Sequence, residues 1–235
     1  MNDAVHHRFY VLSHSAPNVT VLDDKDGSIL TTIDLGGAPE QAAFDGSGKI
    51  YIDLEDKDAI AVVDANTMTK IGQYDVSSKG GGCAGLAIDA KNNVLFATCR
   101  DKKNMIILSA TDGHIITDLP IGNGSDGAAF NPATMEAFSS QGDGTLTVVK
   151  EDSPSSFSVE QNVPTPARAK TLTLDTRTNQ IYSITAEFGP TPAAPSTPPA
   201  PPAGATPPAG GPPAWMRGPR APMIPHSFQI LVIGK

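Results

Sequence analysis

The feature that most limits the fold is an aromatic residue that recurs along the chain in short β-favouring segments. Successive members are 41, 45, 42 and 44 residues apart. Each lies in a triplet such as Phe9–Tyr10–Val11 or Ile50–Tyr51–Ile52. A repeat of this length, built from strands alone, is typical of a β-propeller in which each repeat forms one four-stranded blade. The five aromatics are Tyr10, Tyr51, Phe96, Phe138 and Tyr182.

The segments around each aromatic predict the other strands of a blade. Small residues begin most of the predicted inner strands, as in Gly85–Leu86–Ala87 and Gly127–Ala128–Ala129. This composition fits strands that converge on a central channel, where large side chains would collide. Each inner strand ends in Asp or Asn and a polar turn, which indicates a hairpin to the aromatic strand.

Phasing the repeats sets the number of blades. The first repeat retains only a stub of its inner strand, and the last lacks a fourth strand. We therefore predict an all-β propeller of about four and a half to five blades. Propellers often have about seven blades, so we expect a seven-bladed parent whose N-terminal blades are absent here. A natural incomplete ring is the alternative.

A proline-rich segment interrupts the last predicted blade. Residues 190–225 hold 14 of the 21 prolines of the chain, a composition that favours polyproline II or disorder. We predict blades over 1–189, a disordered loop insert over 190–225, and a strand over 226–235 that completes the last blade. Trp215 and Arg217 near the end of the insert are candidates for docking a partner. The alternative is an insert with a single anchoring Trp.

The two cysteines of the chain, Cys83 and Cys99, flank a predicted hairpin. An antiparallel register that pairs them also places Gly85 opposite Ala97. Side chains facing each other across strands are close enough for a disulfide. We predict that bond, with two buried free thiols as the alternative. A disulfide indicates an oxidising compartment.

Composition and motifs exclude several functions. The net charge of −8 and the lack of a basic cluster argue against nucleic-acid binding. No apolar stretch approaches a membrane span, and no export signal precedes the first blade. No nucleophile elbow, phosphate loop, zinc spacing or dinucleotide fingerprint occurs. Glu55, Asp56 and Asp58 lack the order of a calcium loop and predict a solvated turn. We thus predict no catalytic residue, metal or cofactor.

The remaining candidate site is the mouth of the channel on the loop face. In repeat phase, Glu40, Ala84, Asp126 and Lys170 occupy equivalent positions there. Mixed charges around an axial opening can bind a small polar ligand. We name Glu40, Asp126, Arg168 and Lys170 as candidate ligand-binding residues, with solvated strand ends as the alternative.

Several phrases resemble the YVTN-repeat (YncE-like) β-propeller family. They include Val62–Val63–Asp64–Ala65–Asn66–Thr67 and Ser109–Ala110–Thr111–Asp112–Gly113–His114–Ile115. The resemblance covers nearly all of the chain outside the insert. It implies a seven-bladed, exported bacterial protein, here periplasmic or secreted.

Two functions follow as expectations. The first is a non-enzymatic extracytoplasmic propeller that binds an unknown protein or small polar ligand on its loop face. The alternative is a metal-dependent lactonase-like hydrolase or an amine-dehydrogenase-like redox propeller. Whether the chain is an enzyme stays open, with the non-enzymatic function preferred.

Overall fold

The computed structural model describes residues 1–193 and 220–234, which form five antiparallel sheets. They are the blades of a five-bladed β-propeller, as predicted. Blade 1 comprises β1 (Asn2–Asp3), β2 (Arg8–Ser13), β3 (Asn18–Asp23) and β4 (Ile29–Asp34). Blade 2 comprises β5 (Pro39–Phe44), β6 (Lys49–Leu54), β7 (Ala59–Asp64) and β8 (Thr69–Asp75). Blade 3 comprises β9 (Cys83–Asp89), β10 (Val94–Cys99), β11 (Asn104–Ser109) and β12 (Ile115–Pro120).

The last two blades differ in strand number. Blade 4 comprises β13 (Ser125–Asn131), β14 (Glu136–Gln141), β15 (Thr145–Ser153) and β16 (Ser156–Pro164). Blade 5 has three strands in the described residues: β17 (Thr171–Asp175), β18 (Gln180–Thr185) and β19 (Gln229–Ile233). β1 is a two-residue stub of an inner strand, which matches the phasing of the sequence.

Blades 2 and 3 are covered on both faces, so their middle strands are continuously apolar. Nearly every residue of β7 and β10 is buried, and neither strand shows an alternation of polar and apolar residues. Short apolar runs of this kind are expected for strands buried on both sides. A separate hydrophobic cluster fills each of the four junctions between consecutive blades.

The recurrent aromatics build these junctions. Tyr10 packs in the cluster that blade 1 shares with blade 2, and Tyr51 packs against blade 3. Phe96 and Phe138 pack in the same way against blades 4 and 5. The Tyr10 and Tyr51 hydroxyls also donate hydrogen bonds to equivalent carbonyls in the next blade. Their acceptors are the oxygens of Ala65, at 3.4 Å, and of Ala110, at 2.8 Å.

The outer faces of blades 1 and 5 are apolar and exposed. In blade 1, Phe9 and Val11 point away from the junction with blade 2, because successive side chains of a strand alternate between faces. In blade 5, Ile184, Ile230 and Val232 point away from blade 4 and are 43%, 62% and 56% exposed. The end blades thus differ from blades 2 to 4, which are covered on both faces.

The base of the proline-rich segment is tied together next to blade 5. Phe188 and Met223 form an isolated antiparallel bridge. The Gly189 amide donates to the carbonyl oxygen of Pro222 at 2.8 Å. Trp215 and Arg217 lie outside the described residues. No helix in the described part of the chain has the length and apolar character needed to cross a bilayer.

Candidate ligand site at the channel mouth

A β-bulge sets the side chains at the start of three inner strands. In blade 3, Ala84 is the extra residue between the pairs Cys83–Cys99 and Gly85–Thr98. Asp126 is the extra residue at the same place in blade 4. In blade 2, the two residues Glu40 and Gln41 lie opposite a single residue of β6. Bulges redirect side chains and are frequent next to functional sites.

A second set of side chains reaches the same rim from the ends of the second strands. The first residue after the second strand is His14 in blade 1, Glu55 in blade 2 and Arg100 in blade 3. The equivalent residues of blades 4 and 5 are Gly142 and Ala186. The mouth therefore combines two positions of the repeat.

Charged side chains from all five blades join at this mouth in one continuous network. His14 Nδ1 lies 3.6 Å from Glu40 Oε1. Glu55 forms an ion pair with Arg100, and Arg100 Nη2 lies 3.3 Å from Asp126 Oδ1. Lys170 Nζ lies 2.7 Å from the same Asp126 oxygen. Glu40 and Glu55 lie next to each other between the two halves of the network, with one oxygen of each within 4.8 Å of the other.

Gln41 crosses the axis just inside the mouth. Its Oε1 accepts hydrogen bonds from the Leu86 amide at 3.2 Å and the Ala128 amide at 3.0 Å, and its Nε2 donates to the Ala128 carbonyl at 2.8 Å. One side chain of blade 2 thus bridges the inner strands of blades 3 and 4, below the charged network.

Asp53 is a buried carboxylate without a hydrogen-bond partner in the described residues. Its side chain has 0% exposure, and both oxygens are unpaired. It faces the bulge that carries Glu40, and it precedes Glu55 by two residues. Unpaired buried charges are costly, so this position requires an explanation.

Two of the other blades carry a hydroxyl at the position of Asp53, whereas blades 1 and 5 carry Leu12 and Ile184 there. In blade 3 the equivalent Thr98 accepts a hydrogen bond from Ser125 at 2.6 Å. In blade 4 the equivalent Ser140 donates to the carbonyl of Lys170. Blade 2 differs in carrying an acid at this position, and the residue equivalent to Ser125 beside it is Cys83, which is held in a disulfide.

Burial and crowding of carboxylates shift two pKa values at the mouth. Burial raises the pKa of Glu40, and the neighbouring Glu55 raises it further. Burial also raises the pKa of Asp53 well above its ordinary value, with smaller contributions from Glu40 and Glu55. Both shifts mean that negative charge is disfavoured where the three carboxyl groups meet, and that a cation is favoured there.

The predicted site residues divide into three groups. Glu40, Asp126 and Lys170 meet in the network. Arg168 extends elsewhere: its guanidinium carbon lies 4.1 Å from the ring centroid of Phe188, at the base of the proline-rich segment. Trp215 and Arg217, the predicted docking residues, lie outside the described chain. His14, Glu55, Arg100, Gln41 and Asp53 are mouth residues that the sequence analysis did not select.

The predicted disulfide is confirmed, and the free-thiol alternative is wrong. Cys83 and Cys99 are bonded and buried, and Cys99 directly precedes Arg100. The predicted register is off by one residue from Gly85 to Asp89, so that Gly85 lies opposite Thr98 rather than Ala97. The bulge at Ala84 shifts the register by one residue, and this shift brings the cysteines opposite each other.

Comparison with known proteins shows the fold and no family. No protein-family model matches the chain, and no curated protein sequence matches it. Hydrazine synthase of Kuenenia stuttgartiensis is 12% identical over 65% of this chain and 43% of that one, with a TM-score of 0.56. Dihydro-heme d1 dehydrogenase NirN, in complex with DHE, is 14% identical over 76% and 39%, with a TM-score of 0.59. A chain of the mitotic checkpoint complex is 14% identical over 75% and 55%, with a TM-score of 0.65.

These neighbours are β-propellers, and at such low identity the likeness shows the fold alone. The chain spans between 39% and 55% of their lengths. The resemblance to YVTN-repeat propellers stays a prediction.

Proposed function

We propose that the protein is a non-enzymatic, extracytoplasmic binding propeller that holds a small polar ligand at its channel mouth. The observation that carries this proposal is the charged network from His14 to Lys170, to which all five blades contribute. Propellers use their loops and axial openings for recognition, while the blades serve as a rigid scaffold. The Cys83–Cys99 disulfide supports a periplasmic or secreted location.

The balance of charge at the mouth favours a ligand with positive charge. Three carboxyl groups line the mouth, from Glu40, Glu55 and Asp126. A fourth, Asp53, is fully buried, and its raised pKa disfavours negative charge on it. Arg100 and Lys170 are the two permanently charged cations of the network, and both contact Asp126. Because carboxylates outnumber these cations, an amine is a better complement than an acid.

The test is thermal denaturation with putrescine, spermidine, citrate or glucose, in the presence of EDTA. We expect the amines to raise the melting temperature by about 3–6 °C at ten times their dissociation constant, and citrate and glucose to have no effect. Asp126→Asn removes the carboxylate that contacts both Arg100 and Lys170, so it should abolish the amine effect and introduce one for citrate. Asp152→Asn, an exposed carboxylate of blade 4, is the matched control.

Equal shifts in wild type and Asp126→Asn, or no shift with either amine, would contradict this function.

A second candidate is a metal-dependent lactonase-like hydrolase. It is favoured by the proximity of His14, Glu40 and Glu55, whose ligand atoms lie within 4.8 Å of one another. Hydrolysis of simple lactones by the protein with added Zn²⁺, lost in Glu40→Gln, would support the hydrolase instead.

A further inference from the structure

The side of the mouth between blades 1 and 2 has the composition of a cation site. His14 Nδ1 or Nε2 and one oxygen each of Glu40 and Glu55 lie within 4.8 Å of one another. Two of these side chains leave from loops and one from a bulge, so all three have room to adjust. Donor atoms around a tetrahedral zinc ion are about 3.4 Å apart. Side-chain rotations that move these donor atoms by about 1 Å would therefore bring all three within binding distance of one zinc ion.

Asp53 is the independent sign that a cation belongs here. It is fully buried, lies opposite the bulge of Glu40, and has no hydrogen-bond partner in the described residues. Thr98 and Ser140 at the equivalent positions are neutral and hydrogen-bonded. If this position had only a structural role, a residue with a hydroxyl group would suffice there, as it does in those two blades. A cation bound by the three potential metal ligands would offset the free-energy cost of burying this carboxylate.

We propose that His14, Glu40 and Glu55 bind a divalent transition-metal ion, with Asp53 behind them as the carboxylate whose charge the ion balances. One imidazole with carboxylates suits Zn²⁺ better than Ca²⁺, since Ca²⁺ takes oxygen ligands. Three protein ligands leave a coordination position open toward the mouth. The inference rests on the proposed function in that the ion would form part of the same ligand site.

Arg100 gives the proposal a distinctive consequence. Its guanidinium pairs with Glu55, so it competes with the metal for that carboxylate. Replacing Arg100 with Gln should tighten metal binding, whereas replacing a ligand should weaken it. If the network only stabilised the fold, Arg100→Gln would not increase the affinity for metal.

The experiment is a competition titration of metal-stripped protein with Zn²⁺ against a chromogenic chelator. Co²⁺ absorption spectra serve as a second readout of the ligand set. We expect one ion per chain and a loss of more than about 100-fold in affinity for His14→Ala, Glu40→Gln and Glu55→Gln. Asp53→Asn should weaken binding by less than any ligand variant, because it removes a charge that the ion balances but no ligand. Arg100→Gln should bind more tightly.

The matched controls are His7→Ala and Glu160→Gln, an exposed imidazole and an exposed carboxylate outside the mouth. Both should bind Zn²⁺ like the wild type, and circular dichroism of each metal-free variant checks that it is folded. The proposal is overturned if the ligand variants bind as tightly as the wild type. It is also overturned if Ca²⁺ binds more tightly than Zn²⁺ and His14→Ala has no effect.

The two proposals can fail separately. Amine binding is measured in EDTA and depends on Asp126, whereas metal binding is measured without amines and depends on His14, Glu40 and Glu55. Zn²⁺ binding without amine binding would reject the proposed function and retain the metal site. The reverse result would reject the metal site alone.

Discussion

Glu151 shows at the scale of one residue how a buried carboxylate weakens this propeller at neutral pH. Its side chain is buried, and Oε1 accepts a hydrogen bond from Asn92 Nδ2 at 2.8 Å. Its Oε2 and Asp89 Oδ2 have no partner in the described residues. Burial raises the pKa of Glu151, the Asn92 hydrogen bond lowers it, and the neighbouring Asp89 raises it further.

A raised pKa in the folded state gives stability that is complete below the unfolded pKa and is lost as pH rises through the folded value. Wild-type protein should therefore lose stability from Glu151 as pH rises above about 4.3, the ordinary value for glutamate. Glu151→Gln keeps the acceptor for Asn92 and places an amide donor beside Asp89. We expect this variant to be more stable by about 1 kcal/mol at pH 7.5.

The measurement is urea denaturation of both proteins between pH 4 and pH 8. The difference in unfolding free energy should grow with pH over that window, and this subtraction removes the contributions of other carboxyl groups. Glu136→Gln serves as the control. Glu136 lies at the start of the neighbouring strand β14 of the same blade and is less buried than Glu151. If the difference in unfolding free energy between the two proteins stays constant with pH, the pKa of Glu151 is not raised in the folded state.

At the scale of the structural element, the disulfide joins the inner and second strands of blade 3. Cys83 and Cys99 are 16 residues apart, and closing a loop of this size stabilises a fold by about 3 kcal/mol. We expect Cys83→Ala/Cys99→Ala to lower the unfolding free energy by about 2–4 kcal/mol. Alanine is used because a serine would bury an unpaired hydroxyl at a position that excludes solvent.

Urea denaturation with and without dithiothreitol checks this prediction. Reductant should weaken the wild type to about the level of the double variant and leave the variant unchanged. Equal stability of oxidised wild type and variant would mean that strain offsets the gain from the cross-link.

The same element shows how far the sequence predicts the structure. The paired cysteines are predictable because a hairpin constrains which residues face each other. The bulge at Ala84 is not, because adding one residue changes no periodic pattern and only displaces the register. The equivalent bulges of blades 2 and 4 carry Glu40 and Asp126 to the mouth, so the equivalence of these two residues was predictable but their contacts were not.

Other mouth residues carried a signal that inner-strand phasing alone does not use. His14, Glu55 and Arg100 each follow a second strand directly, so the repeat that relates the aromatics relates them as well. Gln41 and Asp53 gave no such signal. The bridge made by Gln41 depends on a side chain crossing the axis, and the isolation of Asp53 depends on which donors the tertiary packing brings near it.

At the scale of the whole molecule, four of the five recurrent aromatics pack on the following blade, and the fifth does not. Tyr10, Tyr51, Phe96 and Phe138 are buried in junctions, whereas Tyr182 lies beside Ile184 on the outer face of blade 5. Each aromatic faces an aliphatic residue on the third strand of its blade. These partners are Val21, Val62, Ile107, Val148 and Val232.

The valines of this set form an internal comparison. Val62 is 4% exposed and Val232 is 56% exposed, although each pairs with a tyrosine at the same place in its blade. Val→Thr preserves shape and β-propensity and adds one hydroxyl. We expect Val62→Thr to lower the unfolding free energy by about 1–3 kcal/mol, because the hydroxyl is buried without a partner.

Val232→Thr should change the unfolding free energy by less than about 0.5 kcal/mol, since its hydroxyl stays in water. Urea denaturation of the two variants and the wild type at a low and a tenfold higher protein concentration provides the measurement. A loss at Val232 as large as that at Val62 would mean that the outer face of blade 5 is covered in solution. If that loss appears only at the higher concentration, the cover is a second molecule, since association depends on concentration and packing within one chain does not.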